Sequence, residues 1–235
     1  MGSTRLPGKA LYPLGGTTVL GFLLKRLKRC EALDRVVVAT TTLPEDEPLV
    51  RWAAEGTGGW VCYDEPDDVL GRFLLAAEQL GDRDVVVRLT GDNPLVCPEV
   101  VDWCARWVAS GRHDYYRTGP SFPEGLDVEA FTVALLRRID RGAPTAHERE
   151  HLAAPLERLA ERMGVYDLPE DWGHVRLTLD YPADVGVVQR VAAQVGPGAG
   201  LRDILRLARD EPEWFLGNQQ IERNEWKHAE QESVA

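Results

Sequence analysis

The 235-residue chain predicts one α/β domain with a mostly parallel sheet and helices on both faces. Three observations carry that prediction. Short β-branched runs recur at 35–41, 60–63, 84–90 and 175–180, the first three alternating with apolar stripes of helical period, which is the rhythm of βαβ units. Two of those runs end in a lone aspartate before a proline-marked turn, Asp92 and Asp180, and open α/β sheets bind ligands at such strand ends. The length suits a single domain of this class, which often exceeds 200 residues without dividing.

The elements follow in order. Thr17 and Thr18 supply caps for a helix to about Cys30, whose Val19, Leu20, Leu23, Leu24 and Leu27 share a face. The run 35–41 is continuous enough to be a strand covered on both sides. A helix from about Glu45 stops at Gly56, and Trp60 to Tyr63 reads as a short strand. Asp67-Asp68 opens a helix through Leu80. The run 84–90, Asp-Val-Val-Val-Arg-Leu-Thr, is the strongest strand signal and is expected at the centre of the sheet. Pro98-Glu99 starts the next helix. Beyond Gly111 the rhythm loosens into strands at 114–117 and 127–131, then helices around Leu135-Leu136 and from His151 to Met163. Residues 112–165 are expected to form an acceptor-side region, Val175 to Asp180 a late strand, Pro182 to Asp184 a helix start, and 222–235 a frayed tail on the single domain 1–235.

Composition excludes several classes. A net charge of −11 and pI near 5.0 argue against duplex nucleic acid as a partner, so basic residues are read as local ligand sites. Cys30, Cys62, Cys97 and Cys104 form no C-x-x-C pair, hence no zinc knuckle or disulfide framework, and read as buried thiols. No apolar run reaches membrane-spanning length and no signal-peptide pattern opens the chain. No membrane partner and a cytoplasmic setting are the expectation.

The opening Met-Gly-Ser-Thr-Arg-Leu-Pro-Gly-Lys has the composition of a phosphate grip. Glycines let backbone N–H groups crowd an anion, Arg5 offers a planar fork and Lys9 a point charge. It is not a Walker A loop: five residues separate Gly2 from Gly8, Ala10 stands where Ser or Thr follows the lysine, and no strand precedes it. A tail broken by glycine and proline is the lesser alternative for the segment alone. Asp92 and Asp180 suit Mg²⁺, which takes one or two carboxylates with water and phosphate oxygens, although each would also serve as a turn or helix cap. Together these groups describe nucleotidyl transfer with pyrophosphate leaving. Arg72 lies at a helix start, where an exposed cap paired with Asp68 is the simpler reading.

Eight segments in order resemble the cytidylyltransferases grouped with the spore-coat polysaccharide biosynthesis protein SpsF, relatives of the acylneuraminate and Kdo cytidylyltransferases. They are Gly-Ser-Thr-Arg-Leu-Pro-Gly-Lys at 2–9, Ala-Thr-Thr at 39–41, Asp-Asp-Val-Leu-Gly-Arg at 67–72, Thr-Gly-Asp-Asn-Pro-Leu at 90–95, Gly-Leu-Asp-Val-Glu at 125–129, Glu-Arg-Glu-His at 148–151, Leu-Thr-Leu-Asp-Tyr-Pro at 177–182 and Ile-Glu-Arg-Asn-Glu at 221–225. The resemblance implies a Rossmann-like nucleotidyltransferase fold of the nucleotide-diphospho-sugar transferase type. It implies Arg5, Lys9, Asp92 and Asp180 as the catalytic set, with Mg²⁺ on Asp92 and Asp180. Gly2, Ser3, Thr4, Ala39, Thr40, Thr41, Arg72 and Gly91 fall on the nucleotide, and Asp127, Glu129, Arg149 and His151 on the acceptor. A structural histidine is nearly as good an account of His151, and Asp127 is the stronger acceptor-side residue.

The implied reaction joins CMP from CTP to a small anionic or sugar acceptor, in surface-glycan or secondary-metabolite biosynthesis. GTP or another nucleotide, a phosphonate acceptor and a non-catalytic nucleotide-binding or assembly protein stay open, as does a homodimer. In the resembling family a strand ending in Ala-Arg precedes the phosphate loop, whereas this chain begins at the methionine. The first strand is therefore expected to be absent and the loop displaced, with an upstream extension raising stability and nucleotide affinity together. Asn93 and Trp226-Lys227 are smaller departures.

Overall fold

The computed structural model describes residues 3–56, 59–63, 65–221 and 223; Gly2 and the rest of the 222–235 segment lie outside them. A 3₁₀ turn at Lys9–Leu11 leads to a small antiparallel hairpin, β1 (Pro13–Leu14) and β2 (Thr17–Thr18). Helix α1 (Val19–Leu27) follows, capped by Thr18, whose Oγ1 accepts the Gly21 N–H at 3.0 Å. Strand β3 (Val38–Thr41), helix α2 (Glu47–Gly56) and strand β4 (Trp60–Tyr63) form a βαβ unit with a parallel ladder. Helix α3 (Val69–Ala76) is capped by Asp68, which accepts the Gly71 N–H at 2.9 Å.

The remaining elements are β5 (Val85–Arg88), α4 (Pro98–Ala109), β6 (Tyr115–Thr118), β7 (Glu129–Thr132), α5 (Val133–Arg141), α6 (Ala146–Glu150), α7 (Ala153–Leu159), β8 (Met163–Tyr166), α8 (Pro182–Val195) and α9 (Leu201–Asp210). Four of the strands make a second sheet in the order β5-β7-β6-β8. Alternation along its strands divides the interior. Tyr115 and Phe131 face a core with Leu70, Leu135, Leu136 and Leu156 from α3, α5 and α7, while Tyr116 and Ala130 face the larger core with Phe22, Val101 and Val188 from α1, α4 and α8. Helices thus cover both faces, as the β-branched runs require.

Four expectations need correction. The ladders are mixed rather than mostly parallel: β3–β4 and β6–β8 are parallel, but β5–β7 and β6–β7 are antiparallel, because β7 returns through a loop and not a helical crossover. Strand β5 ends its sheet instead of standing at the centre, with β7 its one ladder partner among the described residues. The run 175–180 forms no strand but a strut between two loops. Its Leu177 N–H donates to the Glu124 carbonyl at 2.7 Å and its Leu179 N–H to the Asp92 carbonyl at 2.9 Å, with one parallel bridge at Glu124–Arg176. β-branched content marks an extended chain and cannot say whether its partners form one ladder. The segment expected as helix to Met163 also divides, ending at Leu159 and continuing as β8.

Arg26 of α1 is wholly buried. Its guanidinium donates to the Val96 carbonyl at 2.9 Å and to the Gly196 and Pro197 carbonyls at 3.4 and 3.5 Å, joining three segments. The four cysteines are free: Cys97 and Cys104 are buried, with thiols pushed up to about 12 by burial, and Cys30 and Cys62 half-buried. Among the described residues no helix is long and apolar enough to cross a membrane.

Candidate active site

The opening loop meets two turns that are far away in sequence. Gly8 adopts φ 72°, a left-handed turn open to glycine, and delivers Lys9 at the head of the 3₁₀ turn. The Lys9 Nζ donates to Asp92 Oδ2 at 2.5 Å and to Asp180 Oδ1 at 2.5 Å. Burial works against the lysine's charge, but the two carboxylates outweigh it and hold its pKa above the ordinary value. Burial also works against the charge of Asp180, yet Lys9, Arg5 and Arg176 bring its pKa below the ordinary value. Arg5 extends the cationic side, its Nη1 donating to the Tyr181 hydroxyl at 3.0 Å and its guanidinium 4.9 Å from the centre of that ring. The loop is thus seated on both aspartates, not displaced.

Asp184, fully buried in the first turn of α8, holds the turn that carries Asp180. Its Oδ2 accepts the backbone N–H groups of Asp180 at 2.9 Å and Tyr181 at 2.8 Å, and its Oδ1 accepts Arg176 Nε at 2.9 Å and Asn218 Nδ2 at 2.8 Å. Arg176 reaches on to Glu124 at 2.6 Å and stands 3.6 Å from Asp180. Two carboxylates converging on one cationic point form a hard oxygen donor set, which fits Mg²⁺ completed by water and phosphate oxygens. Among the described residues no three histidine, cysteine or acidic side chains cluster as a metal cage.

The chain that carries this basic loop and these paired aspartates has relatives. The cytidylyltransferase family model matches residues 1–166. The chain belongs to the cytidylyltransferase family. The spore coat polysaccharide biosynthesis protein SpsF of Bacillus subtilis is 29% identical over 91% of this chain and 92% of its own. A solved cytidylyltransferase from Leptospira borgpetersenii superposes with a TM-score of 0.84 at 31% identity, covering 95% of each chain. A CMP:2-keto-3-deoxy-manno-octonic acid synthetase complexed with CTP shares the fold, with a TM-score of 0.61 at 15% identity over 82% of this chain and 95% of that one. The protein is a nucleotidyltransferase enzyme with the expected fold.

The other anticipated residues of this cytidylyltransferase are distributed more widely. Ser3 Oγ accepts the Leu6 N–H at 3.3 Å, Thr4 is exposed, and Gly91 lies in the turn that carries Asp92. Ala39, Thr40 and Thr41 belong to the β3–β4 pair, where the Thr40 and Thr41 hydroxyls donate to Asp46 Oδ2 at 2.8 and 2.7 Å. Arg72 is not the exposed cap partner of Asp68. Its Nη2 donates to the Pro66 carbonyl at 2.6 Å, its Nε is buried without a partner, and its pKa is lowered chiefly by burial against the pull of Asp46, Asp68 and Asp67. That orphaned donor is the kind of group a ligand completes.

Of the residues expected on the acceptor side, Arg149 forms a bidentate pair with Asp68 at 2.9 and 2.8 Å and also holds Asp140 at 2.9 Å. His151 lies against His147, with ring centres 4.5 Å apart. Glu129 accepts Arg88 at 2.8 Å and the Tyr115 hydroxyl at 2.7 Å. Asp127 pairs with Arg223 at 2.8 Å and accepts the Gly125 N–H at 3.0 Å. Gly125 has φ +93°, and a side chain there would stand 2.5 Å from the backbone of Leu177 and Thr178, so only glycine brings this loop against 177–178. Sequence reasoning missed Glu124, Arg176, Tyr181, Asp184 and Asn218. Acidic Asp184 at a helix start was visible, but its second role as a ligand to the preceding turn was not.

Proposed function

We propose that this cytidylyltransferase transfers CMP from CTP to a small anionic or sugar acceptor in a Mg²⁺-dependent reaction. The observation that carries the reading is the convergence of Asp92 and Asp180 on Lys9 Nζ, 2.5 Å from each. A divalent ion held by those carboxylates would polarise the α-phosphate and offset the charge of the departing pyrophosphate. Lys9, released from the pair, then serves the triphosphate together with Arg5, while backbone N–H groups of Ser3 and Thr4 line the same loop. Ala39 to Thr41, Gly91 and Arg72 form the remainder of the nucleotide site.

The acceptor oxygen forms a bond to the α-phosphorus as the bridging P–O bond to the β-phosphate breaks. Pyrophosphate leaves with the bonding pair, and a proton carried by the acceptor oxygen passes to water. The full-length likeness to a spore-coat polysaccharide protein supports an acceptor of the surface-glycan class. Asp127, Glu129, Arg149 and His151 are assigned to the acceptor side, Asp127 foremost.

The test is pyrophosphate release with a panel of nucleoside triphosphates and sugar acceptors, with and without Mg²⁺. Release that requires CTP and Mg²⁺ is expected. Equal release from GTP, or undiminished release in excess chelator, would overturn the nucleotide or the metal assignment respectively.

A further inference from the structure

The Lys9 ammonium stands where two carboxylates converge, 2.5 Å from Asp92 Oδ2 and 2.5 Å from Asp180 Oδ1. A divalent ion held by the same two oxygens takes the same point, because Mg²⁺ draws its oxygen ligands to about 2.0–2.1 Å. One ammonium and one ion cannot share it. They exclude each other there by contact and by like charge.

The surrounding charges make that exclusion costly in both directions. Among the described residues, Asp92 has Lys9 as its one ion-pair partner, whereas Asp180 also has Arg176 at 3.6 Å and Arg5 at 3.9 Å. The same two aspartates are the anions that Lys9 meets among those residues, and its side chain is only 21% exposed. Its backbone is held as well: Gly8 keeps φ 72° directly before it, and Leu6 is buried in the larger core. An ion entering alone strands a half-buried ammonium. A triphosphate that draws the ammonium away alone leaves two facing carboxylates without their shared cation. Entry of both removes each cost, since the ion takes the carboxylates and the outer phosphates take the ammonium.

Building on the proposed Mg²⁺-dependent transfer, we infer that Lys9 is a latch on the metal position that makes metal binding and triphosphate binding depend on each other. By linkage, each tightens the other by the same factor. A nucleoside monophosphate lacks the outer phosphates that rehouse Lys9, so the metal is taken up with the triphosphate and loosened once pyrophosphate departs.

The measurement is calorimetric titration of Mg²⁺ alone into the parent, Lys9→Met and Arg5→Met proteins. Lys9→Met keeps an apolar stem and removes the ammonium, while Arg5, bonded to the Tyr181 hydroxyl at 3.0 Å, still seats the loop. Mg²⁺ is expected to bind Lys9→Met about tenfold more tightly than the parent, the scale of losing a competing charged hydrogen bond. Arg5→Met removes the same charge from a more exposed side chain beside Asp180 and should change Mg²⁺ affinity by less than about threefold. Light acetylation of the parent, read by peptide mass spectrometry, gives a second measurement that needs no variant. Mg²⁺ alone should speed modification of Lys9, and CTP added with Mg²⁺ should slow it again. Equal or weaker Mg²⁺ binding in Lys9→Met, an equal gain in Arg5→Met, or Lys9 acetylation unmoved by Mg²⁺ overturns the inference. Absence of Mg²⁺ binding in all three proteins overturns it together with the metal assignment of the proposed function. Pyrophosphate release from GTP as readily as from CTP counts against the proposed nucleotide alone, and the Mg²⁺ titrations remain readable.

Discussion

Asp184 Oδ2 accepts the backbone N–H of Asp180 at 2.9 Å, so the carboxylate assigned to the metal is aimed by a second, fully buried carboxylate four residues later. Asp184 is tied in turn to Arg176 and Asn218. Asp184→Asn removes the charge of one partner of a buried ion pair and disturbs the hydrogen bonds it accepts, while Glu124 still balances Arg176, so the cost is about 1–3 kcal/mol. A melting temperature lowered by several degrees and weaker Mg²⁺ binding are expected. A variant that melts and binds Mg²⁺ as the parent does would show that the Asp180 turn holds itself.

Asp92→Asn and Asp180→Asn should each lower turnover by roughly a hundredfold or more, since charge stabilisation at phosphorus is removed. Circular dichroism should show the fold retained. Parental turnover in either variant would take that residue out of the site.

Arg5→Ala and Lys9→Ala should weaken CTP far more than CMP, because the lost contacts are charge contacts to the outer phosphates. Tyr181→Phe tests the support of Arg5 by deleting its 3.0 Å hydrogen bond while leaving the ring beneath the guanidinium. A loss in CTP affinity about half that of Arg5→Ala in free energy is expected, read by calorimetry. Equal losses for CTP and CMP would instead place the loop away from the phosphates.

The lowered pKa of Asp180 gives a stability term with a definite sign. A carboxylate whose folded pKa lies below its unfolded value of about 3.9 stabilises the fold above that value, and the contribution fades as pH falls through the folded pKa. Denaturation midpoints should therefore decline below about pH 4, and less steeply in Asp180→Asn. Identical acid slopes in the two proteins would mean that Lys9 does not hold Asp180 ionised in the fold.

Arg26 is buried among the carbonyls of Val96, Gly196 and Pro197. Arg26→Met leaves those acceptors without their donors and should lower stability by about 2–4 kcal/mol, measured by urea unfolding. An unchanged midpoint would mean that water replaces the guanidinium without loss.

Local chemistry was legible in the chain alone. Thr18 and Asp68 cap their helices because short oxygen side chains before an apolar stripe have that use almost irrespective of context, and Trp60 to Tyr63 is a strand at the bounds its composition marks. The basic loop and the two aspartates were likewise readable as candidates, and the fold brings Lys9 to both, although Asp180 closes an extended strut and not a strand. Long-range placement was not. The 175–180 run carries the β-branched signature of a strand, yet it bonds to Glu124 on one side and Asp92 on the other, and no local pattern encodes two separate partners. Arg149 shares its stretch of sequence with His151 but is claimed by Asp68, 81 residues away, and the Asp127–Arg223 pair spans 96. Such pairings depend on which surfaces meet after burial, a property of the whole packed chain. Side-chain type sets what a residue can do, and packing sets which neighbour it does it with.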